Sequence, residues 1–194
     1  MQEKDHLNKL DAACGDGDLG VGMYLGFKNV QKAVEKQENT DIGIILNRAG
    51  YAILSTVGGA SGPLFGTFFI EAGRTAKGKS EIDLENLATM FEMSLEKLRL
   101  RGGADVGGKT LIDALDPAVK SLKEAAQRRI DISHALMMAA EAAKKGFEAT
   151  KDLVAKYGKA KYLGQQTLGH VDPGAEVVKL VFETLLTTYE SSNP

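Results

Sequence analysis

The feature that most constrains this chain is the spacing of its apolar residues, which steps by three and four almost from end to end. Met23, Phe27, Val30 and Val34 fall on one face of a helix. Ile42, Ile45, Ala49, Ala52 and Ile53 repeat the pattern, with Asp41 placed to complement the helix start. Leu64, Phe68, Phe69 and Ala72 mark a third helix that tolerates Pro63 in its first turn. Leu84, Leu87, Phe91, Leu95 and Leu98 mark a fourth, and Thr110 to Arg128 a fifth with Pro117 as a candidate kink. Ser133 to about Val154 is alanine-rich and a strong helix former. The last helix opens at Asp172-Pro173-Gly174, an aspartate cap followed by proline, and runs to about Tyr189. No segment alternates apolar and polar residues for long enough to make a sheet. The expected fold is therefore all-α, antiparallel helices joined by short loops, in a single domain over residues 1–194.

Composition narrows the function classes. At 194 residues and 43% hydrophobic, the chain has the means to bury a core. A net charge of −2 with no basic face argues against direct nucleic-acid binding. No apolar run approaches the ~18 residues of a membrane span, and Met1 to Lys9 is too polar for a signal peptide. The one cysteine, Cys14, has no internal disulfide partner, and the cytoplasm is the expected compartment.

Of the 22 glycines, 17 gather at 15–26, 58–66, 102–108, 158–164 and 169–174. In a helical protein these are inter-helix loops. Glycine there serves either turn chemistry or the close approach of backbone N–H groups to a ligand. The most charged of these segments is Leu10-Asp11-Ala12-Ala13-Cys14-Gly15-Asp16-Gly17-Asp18-Leu19-Gly20. Three carboxylates within eight residues repel one another unless a hard cation joins them, and Mg²⁺ takes oxygen ligands shared with phosphates. A solvated acidic turn that caps the next helix has the same composition. A calcium-binding EF-hand loop does not fit. Counted from Asp16, its fifth, sixth and twelfth positions are Gly20, Val21 and Phe27.

Gly103-Ala104-Asp105-Val106-Gly107-Gly108-Lys109-Thr110 matches the letters of a P-loop, G-x-x-x-x-G-K-[ST]. That motif has meaning only between a buried strand and a helix. Here Leu84 to Arg101, which reads as an amphipathic helix, precedes it. The expectation is a glycine-rich turn and not a Walker loop, though such a turn can still touch a nucleotide.

Three segments, in order across nearly the whole chain, resemble the nucleotide-binding L domains of dihydroxyacetone kinases. Leu10-Asp11-x4-Asp16-Gly17-Asp18-Leu19-Gly20 resembles their acidic metal loop. Val57-Gly58-Gly59-Ala60-Ser61-Gly62-Pro63-Leu64-Phe65-Gly66-Thr67 resembles their phosphate loop. Tyr162-Leu163-Gly164 followed by Leu168-Gly169-His170-Val171-Asp172-Pro173-Gly174-Ala175 is the third, and Gly108-Lys109-Thr110 adds a weaker match.

The resemblance implies a barrel of about eight antiparallel helices with ADP or ATP at one end. It implies that Asp11, Asp16 and Asp18 hold two Mg²⁺ ions bridging the phosphates, and that Gly58, Gly59, Ala60 and Ser61 face phosphate oxygens. Gly102, Thr110 and Leu111 would lie around the adenine, and Asp172, Pro173 and Gly174 would close the pocket. Leu19, Gly20 and Gly22 join the nucleotide set, and Lys159 stands where the family usually has an arginine near the transferred phosphate. In the family the sugar sits on a separate K subunit, bound to a histidine. A phosphotransferase-system M subunit recharges the ADP in many bacteria, and free ATP is the donor in other branches.

The chain departs from the bacterial pattern in places. Leu19 and Gly22 replace His and Asn of the recharged branch, which leans the expectation toward exchange of free ATP. Gly103 and Gly108 replace polar residues, and Gln165-Gln166 replaces a Glu-Arg pair. The usual first helix is expected to be mostly missing, because the metal loop begins at residue 11. His170 reads as a loop histidine bonded to backbone, His134 as a surface residue, His6 as part of a frayed N-terminus, and Phe65, Phe68 and Phe69 as core. Two other functions use the same family pocket: a nucleotide-sensing module acting on a transcription factor, and the nucleotide domain of a fatty acid kinase. The second lacks the Gly-Gly-Ala-Ser-Gly-Pro run seen at 58–63.

Overall fold

A computed structural model describes residues 3–35 and 40–193. Among them there are α-helices and short 3₁₀ turns and no strand, the all-α class expected. The helices are α1 (Glu3–Cys14), α2 (Leu19–Val34), α3 (Ile42–Thr56), α4 (Ser61–Thr75), α5 (Leu84–Gly102), α6 (Leu111–Gln127), α7 (Ile132–Ala149) and α8 (Pro173–Ser192). The 3₁₀ turns are Thr150–Asp152 and Ala160–Thr167. The chain divides into two compact units, one of Met1–Lys9 with Asp16–Gly103, the other of Leu10–Gly15 with Ala104–Pro194.

In the first unit α2 packs on α3, α3 on α4 and α4 on α5. Glycines on both partners bring α3 and α4 close. A Cβ at Gly43 would lie 2.6 Å from the Gly73 carbonyl oxygen, and one at Gly50 2.8 Å from that of Gly66. Pairing 43 with 73 and 50 with 66 makes the two helices antiparallel. The core above this seam is aromatic. Phe68 meets Phe91 edge to face at 5.1 Å, within the range where such pairs add to simple burial. The buried Ser94 hydroxyl returns its hydrogen bond to backbone, to Met90 O at 2.8 Å or Phe68 O at 3.0 Å, so no polar group is stranded there.

In the second unit α6, α7 and α8 pack on one another. Alanine serves here as glycine does in the first unit: Ala114, Ala118, Ala125, Ala135, Ala139, Ala143 and Ala175 are wholly buried. α6 continues through Pro117. Proline has no N–H, so the Asp113 carbonyl loses its usual helical donor. Gly146 of α7 is the residue that approaches that carbonyl, where any Cβ would collide.

Element ends differ from the sequence reading in four places. A helix, α1, occupies Glu3–Cys14, with Asp11 in its last turn and exposed His6 in its body. Its apolar signal is only Leu7, Leu10 and Cys14, too short a stripe to read. α7 stops at Ala149, because the Thr150 hydroxyl donates to Phe147 O at 2.6 Å and the chain tightens into a 3₁₀ turn. A second 3₁₀ segment, Ala160–Thr167, is interrupted by Gly164 at φ +52°. α8 runs one turn past Tyr189, to Ser192.

Candidate functional site

Most helices here satisfy their own N-termini. Asp41 caps α3 and Asp83 caps α5, Thr110 forms a capping box with Asp113 on α6, and Asp131 and Asp172 cap α7 and α8. Among the helices whose cap residue is described, the exceptions are α2 and α4. Asp18 stands at the cap position of α2 yet makes no side-chain capping bond; Asn8 of α1 accepts from Val21 N–H instead, at 3.1 Å. α4 begins after Ala60, which has no side-chain acceptor to give. These two helix starts are the ones the sequence marked for metal and phosphate.

Over residues 11–18 the chain leaves α1, turns at Gly17 (φ +77°) and enters α2. This brings one carboxylate oxygen each from Asp11, Asp16 and Asp18 to within 4.8 Å of one another. Asp16 and Asp18 are exposed and Asp11 half-buried. Three convergent hard oxygen donors with water at hand fit Mg²⁺. The residues that follow serve packing first. A Cβ on Gly20 would collide with the Lys4 carbonyl, Gly22 lies against Val57, and Leu19 is core.

The segment 57–62 is open. Gly58, Gly59 and Ala60 are exposed, and a Cβ at Gly58 or Gly59 would meet nothing within 4 Å. Gly59 has φ +63°, a conformation natural to glycine. Gly62, by contrast, is buried and sits on the Val57 carbonyl, where no side chain fits. An exposed, glycine-lined helix start without a side-chain cap is the local structure that binds anions.

The literal P-loop at 103–110 is its opposite. It follows helix α5, not a strand, and most of its backbone donors are already used. The Asp113 carboxylate accepts from Gly107 N–H at 2.5 Å and Thr110 N–H at 2.7 Å. Gly108 N–H bonds the Asp105 carbonyl at 3.1 Å, and Val106 N–H the Asp105 carboxylate at 2.8 Å. Lys109, only 3% exposed, gives its ammonium to three carbonyls: Thr150 at 2.7 Å, Leu153 at 3.1 Å and His170. A lysine so engaged is not a phosphate ligand, and burial pushes its pKa down. The decoy reading therefore has a physical cause.

Asp172 caps α8 through Ala175 N–H at 2.8 Å. Burial pushes its carboxyl up to about 7; the charge of Asp113 adds to that rise, while the Ala175 and Gly174 N–H bonds and the Lys109 ammonium oppose it. Lys159 is exposed and precedes the Ala160–Thr167 turn. Gly102 ends α5, Thr110 caps α6, and Leu111 begins α6 as a buried residue. His170 is exposed, its N–H bonded to Thr167 O at 3.3 Å, and His134 is exposed beside Asp131. Sequence reasoning missed Asp113 and Thr150, whose polar atoms organise this part of the chain. A Thr-x-x-Asp capping box at 110–113 was a legible signal for the first.

Comparison with known proteins assigns the class. The DAK2 domain matches residues 13–187, and the chain belongs to that family. The PEP-dependent dihydroxyacetone kinase, ADP-binding subunit DhaL, of Escherichia coli (strain K12) is 38% identical over 94% of this chain and 87% of its own length. A PTS-dependent counterpart from Lactococcus lactis subsp. lactis (strain IL1403) is 32% identical over 96% of this chain and 88% of its own. Among solved structures, the dihydroxyacetone kinase of C. freundii in complex with AMP-PNP and Mg²⁺ matches with a TM-score of 0.71 at 31% identity, over 96% of this chain. The chain spans about a third of that larger protein, 31% of its length.

Proposed function

We propose that this chain is the ADP-binding subunit of a dihydroxyacetone kinase and passes a phosphoryl group to dihydroxyacetone, or a close ketose, held on a separate K subunit. The observation that carries the reading is the convergence of Asp11, Asp16 and Asp18, in a family whose relatives are named as ADP-binding kinase subunits. Bound there, two Mg²⁺ ions would neutralise phosphate oxygens, the main task in phosphoryl transfer. The chain's own residues hold and orient. Gly58, Gly59, Ala60 and Ser61 offer backbone N–H groups to phosphate at the open start of α4. Gly102, Thr110 and Leu111 flank the adenine, Asp172, Pro173 and Gly174 close over it, and exposed Lys159 meets the transferred phosphoryl group. Leu19, Gly20 and Gly22 contribute only backbone: packing uses the side-chain positions of Leu19 and Gly20, and Gly22 has no side chain to give.

For the donor, we favour ADP as a resident carrier recharged by a phosphotransferase-system M subunit. The names of the relatives with PEP or PTS dependence support this against the lean toward free ATP drawn from Leu19 and Gly22. A nucleotide-sensing or fatty-acid-kinase role is not favoured, since the relatives are kinase subunits. Among the described residues no helix is long and apolar enough to cross a membrane, in keeping with a cytoplasmic place of work.

The test has two parts. Purified chain is dialysed with Mg²⁺ and its nucleotide content measured, then assayed with a K subunit and short ketoses, with either ATP or a phosphotransferase partner as donor. The expected result is retained stoichiometric ADP, turnover only with both partners, and none by the chain alone. Turnover by the isolated chain would overturn the division of labour, and free exchange with ATP would overturn the donor assignment.

A further inference from the structure

The stretch from Thr150 to Asp172 contains no α-helix, and most of it is exposed, yet it follows one defined path. Three buried polar side chains hold that path. Thr167 is wholly buried; its hydroxyl accepts from Ala155 N–H at 3.0 Å and donates to Gly164 O at 2.7 Å. Thr150, also wholly buried, accepts from Asp172 N–H at 2.8 Å with the hydroxyl that donates to Phe147 O. Lys109 is the third. An ammonium has three N–H donors and no acceptor, and here three carbonyls, of Thr150, Leu153 and His170, surround it. Its side chain thus joins both ends of the stretch, 41 and 61 residues away, to the turn that leads into α6. Lys109 itself is at φ +58°, a strained backbone for a residue with a Cβ.

From this we infer that Lys109 and Thr150 are positioning residues for nucleotide binding. They form a buried clamp that fixes the His170–Asp172 segment, and with it the Asp172-Pro173-Gly174 start of α8, in the conformation that closes on the nucleotide. The inference rests on the reading of Asp172–Gly174 as pocket residues, and it gives the third motif segment its mechanical support. Neither clamp residue has to touch the ligand. Removal of the ammonium leaves three carbonyls without their shared donor, and loss of the Thr150 hydroxyl leaves Asp172 N–H without its acceptor. Misplacement of a binding segment by about 1 Å is enough to weaken function by up to roughly a hundredfold.

The variants are Lys109→Gly, Thr150→Val and Thr150→Ser. Glycine accepts φ +58° without strain, so Lys109→Gly removes the ammonium and not the backbone fit. Valine keeps the shape of threonine and lacks the hydroxyl; serine keeps the hydroxyl. Calorimetry with ADP and Mg²⁺ should show affinity at least about tenfold weaker in Lys109→Gly and Thr150→Val, with Thr150→Ser near wild type. Hydrogen exchange should quicken across residues 150–172 in the two weak variants while the interiors of α6, α7 and α8 stay protected. Wild-type ADP affinity in Thr150→Val, or equal loss in Thr150→Ser, overturns the inference. If Lys109→Gly fails to fold, the threonine pair still decides. A wild-type chain that does not bind ADP refutes the nucleotide reading instead, and local exchange alone then tests the clamp.

Discussion

Two glycine-rich turns open helices in this chain, 57–62 before α4 and 103–110 before α6, and they are built in opposite ways. The second carries the better-known letters. Its N–H groups go to Asp113 and Asp105, its lysine goes to three carbonyls, and a Cβ at Gly108 would press on the Tyr157 ring at 2.8 Å. The first has no motif of general currency; its Gly58 and Gly59 face open space, as Gly103 and Gly107 of the second do, but its helix has no side-chain cap. A segment whose donors are satisfied from within is structural. One that leaves a helix start exposed and uncapped has a use for a ligand, because those N–H groups otherwise depend on water alone. The contrast extends to carboxylates. Asp113 completes the capping box of α6 and Asp172 caps α8, whereas Asp18, at the cap position of α2, makes no capping bond and converges with Asp11 and Asp16.

The largest expected effect breaks the carboxylate side of that contrast. Asp16→Asn or Asp18→Asn should abolish measurable Mg²⁺-dependent ADP binding, since each removes one of three charged oxygen ligands from a hard divalent ion. Circular dichroism should remain that of the wild type, because Asp18 makes no side-chain capping bond to α2. ADP binding at wild-type strength in either variant would remove the metal assignment.

Asp172 provides a smaller effect with a defined sign. Its folded pKa of about 7 lies above the 3.8 of an unperturbed aspartate. Between those values the folded protein keeps a proton that the unfolded chain has released. Asp172 therefore makes stability fall as pH rises from about 4 to about 7, and contributes no further slope above that. Asn is as good an N-cap and does not titrate. Thermal melts across this window should show a less negative, or more positive, slope for Asp172→Asn than for wild type. Parallel curves would mean that Asp172 titrates as an ordinary carboxylate.

The helical class was readable from apolar spacing because six helices carry long amphipathic stripes, from the Met23 face of α2 to the Ala135–Ala143 face of α7. α1 was not readable, because Leu7, Leu10 and Cys14 are a short stripe on a charged segment. Nor was the path of 150–172, which depends on hydroxyls and an ammonium meeting partners far along the chain. The aspartate cluster was legible as composition, but only the turn at Gly17 shows that the carboxylates converge. In the same way, Lys109 looked like a decoy from the helix before it, and its three carbonyl partners explain why.

The most direct measurement of the central claim, that the open turn before α4 is the phosphate cradle, uses Gly58→Ala. A Cβ there meets nothing in the protein, so the melting temperature should stay within a few degrees of wild type, less than about 1 kcal/mol. A phosphate brought against that backbone would meet the new methyl group. Affinity for ADP with Mg²⁺ should then fall at least about tenfold, or 1.4 kcal/mol. Unchanged stability with weakened binding is the result this account predicts; unchanged stability with wild-type affinity would contradict it.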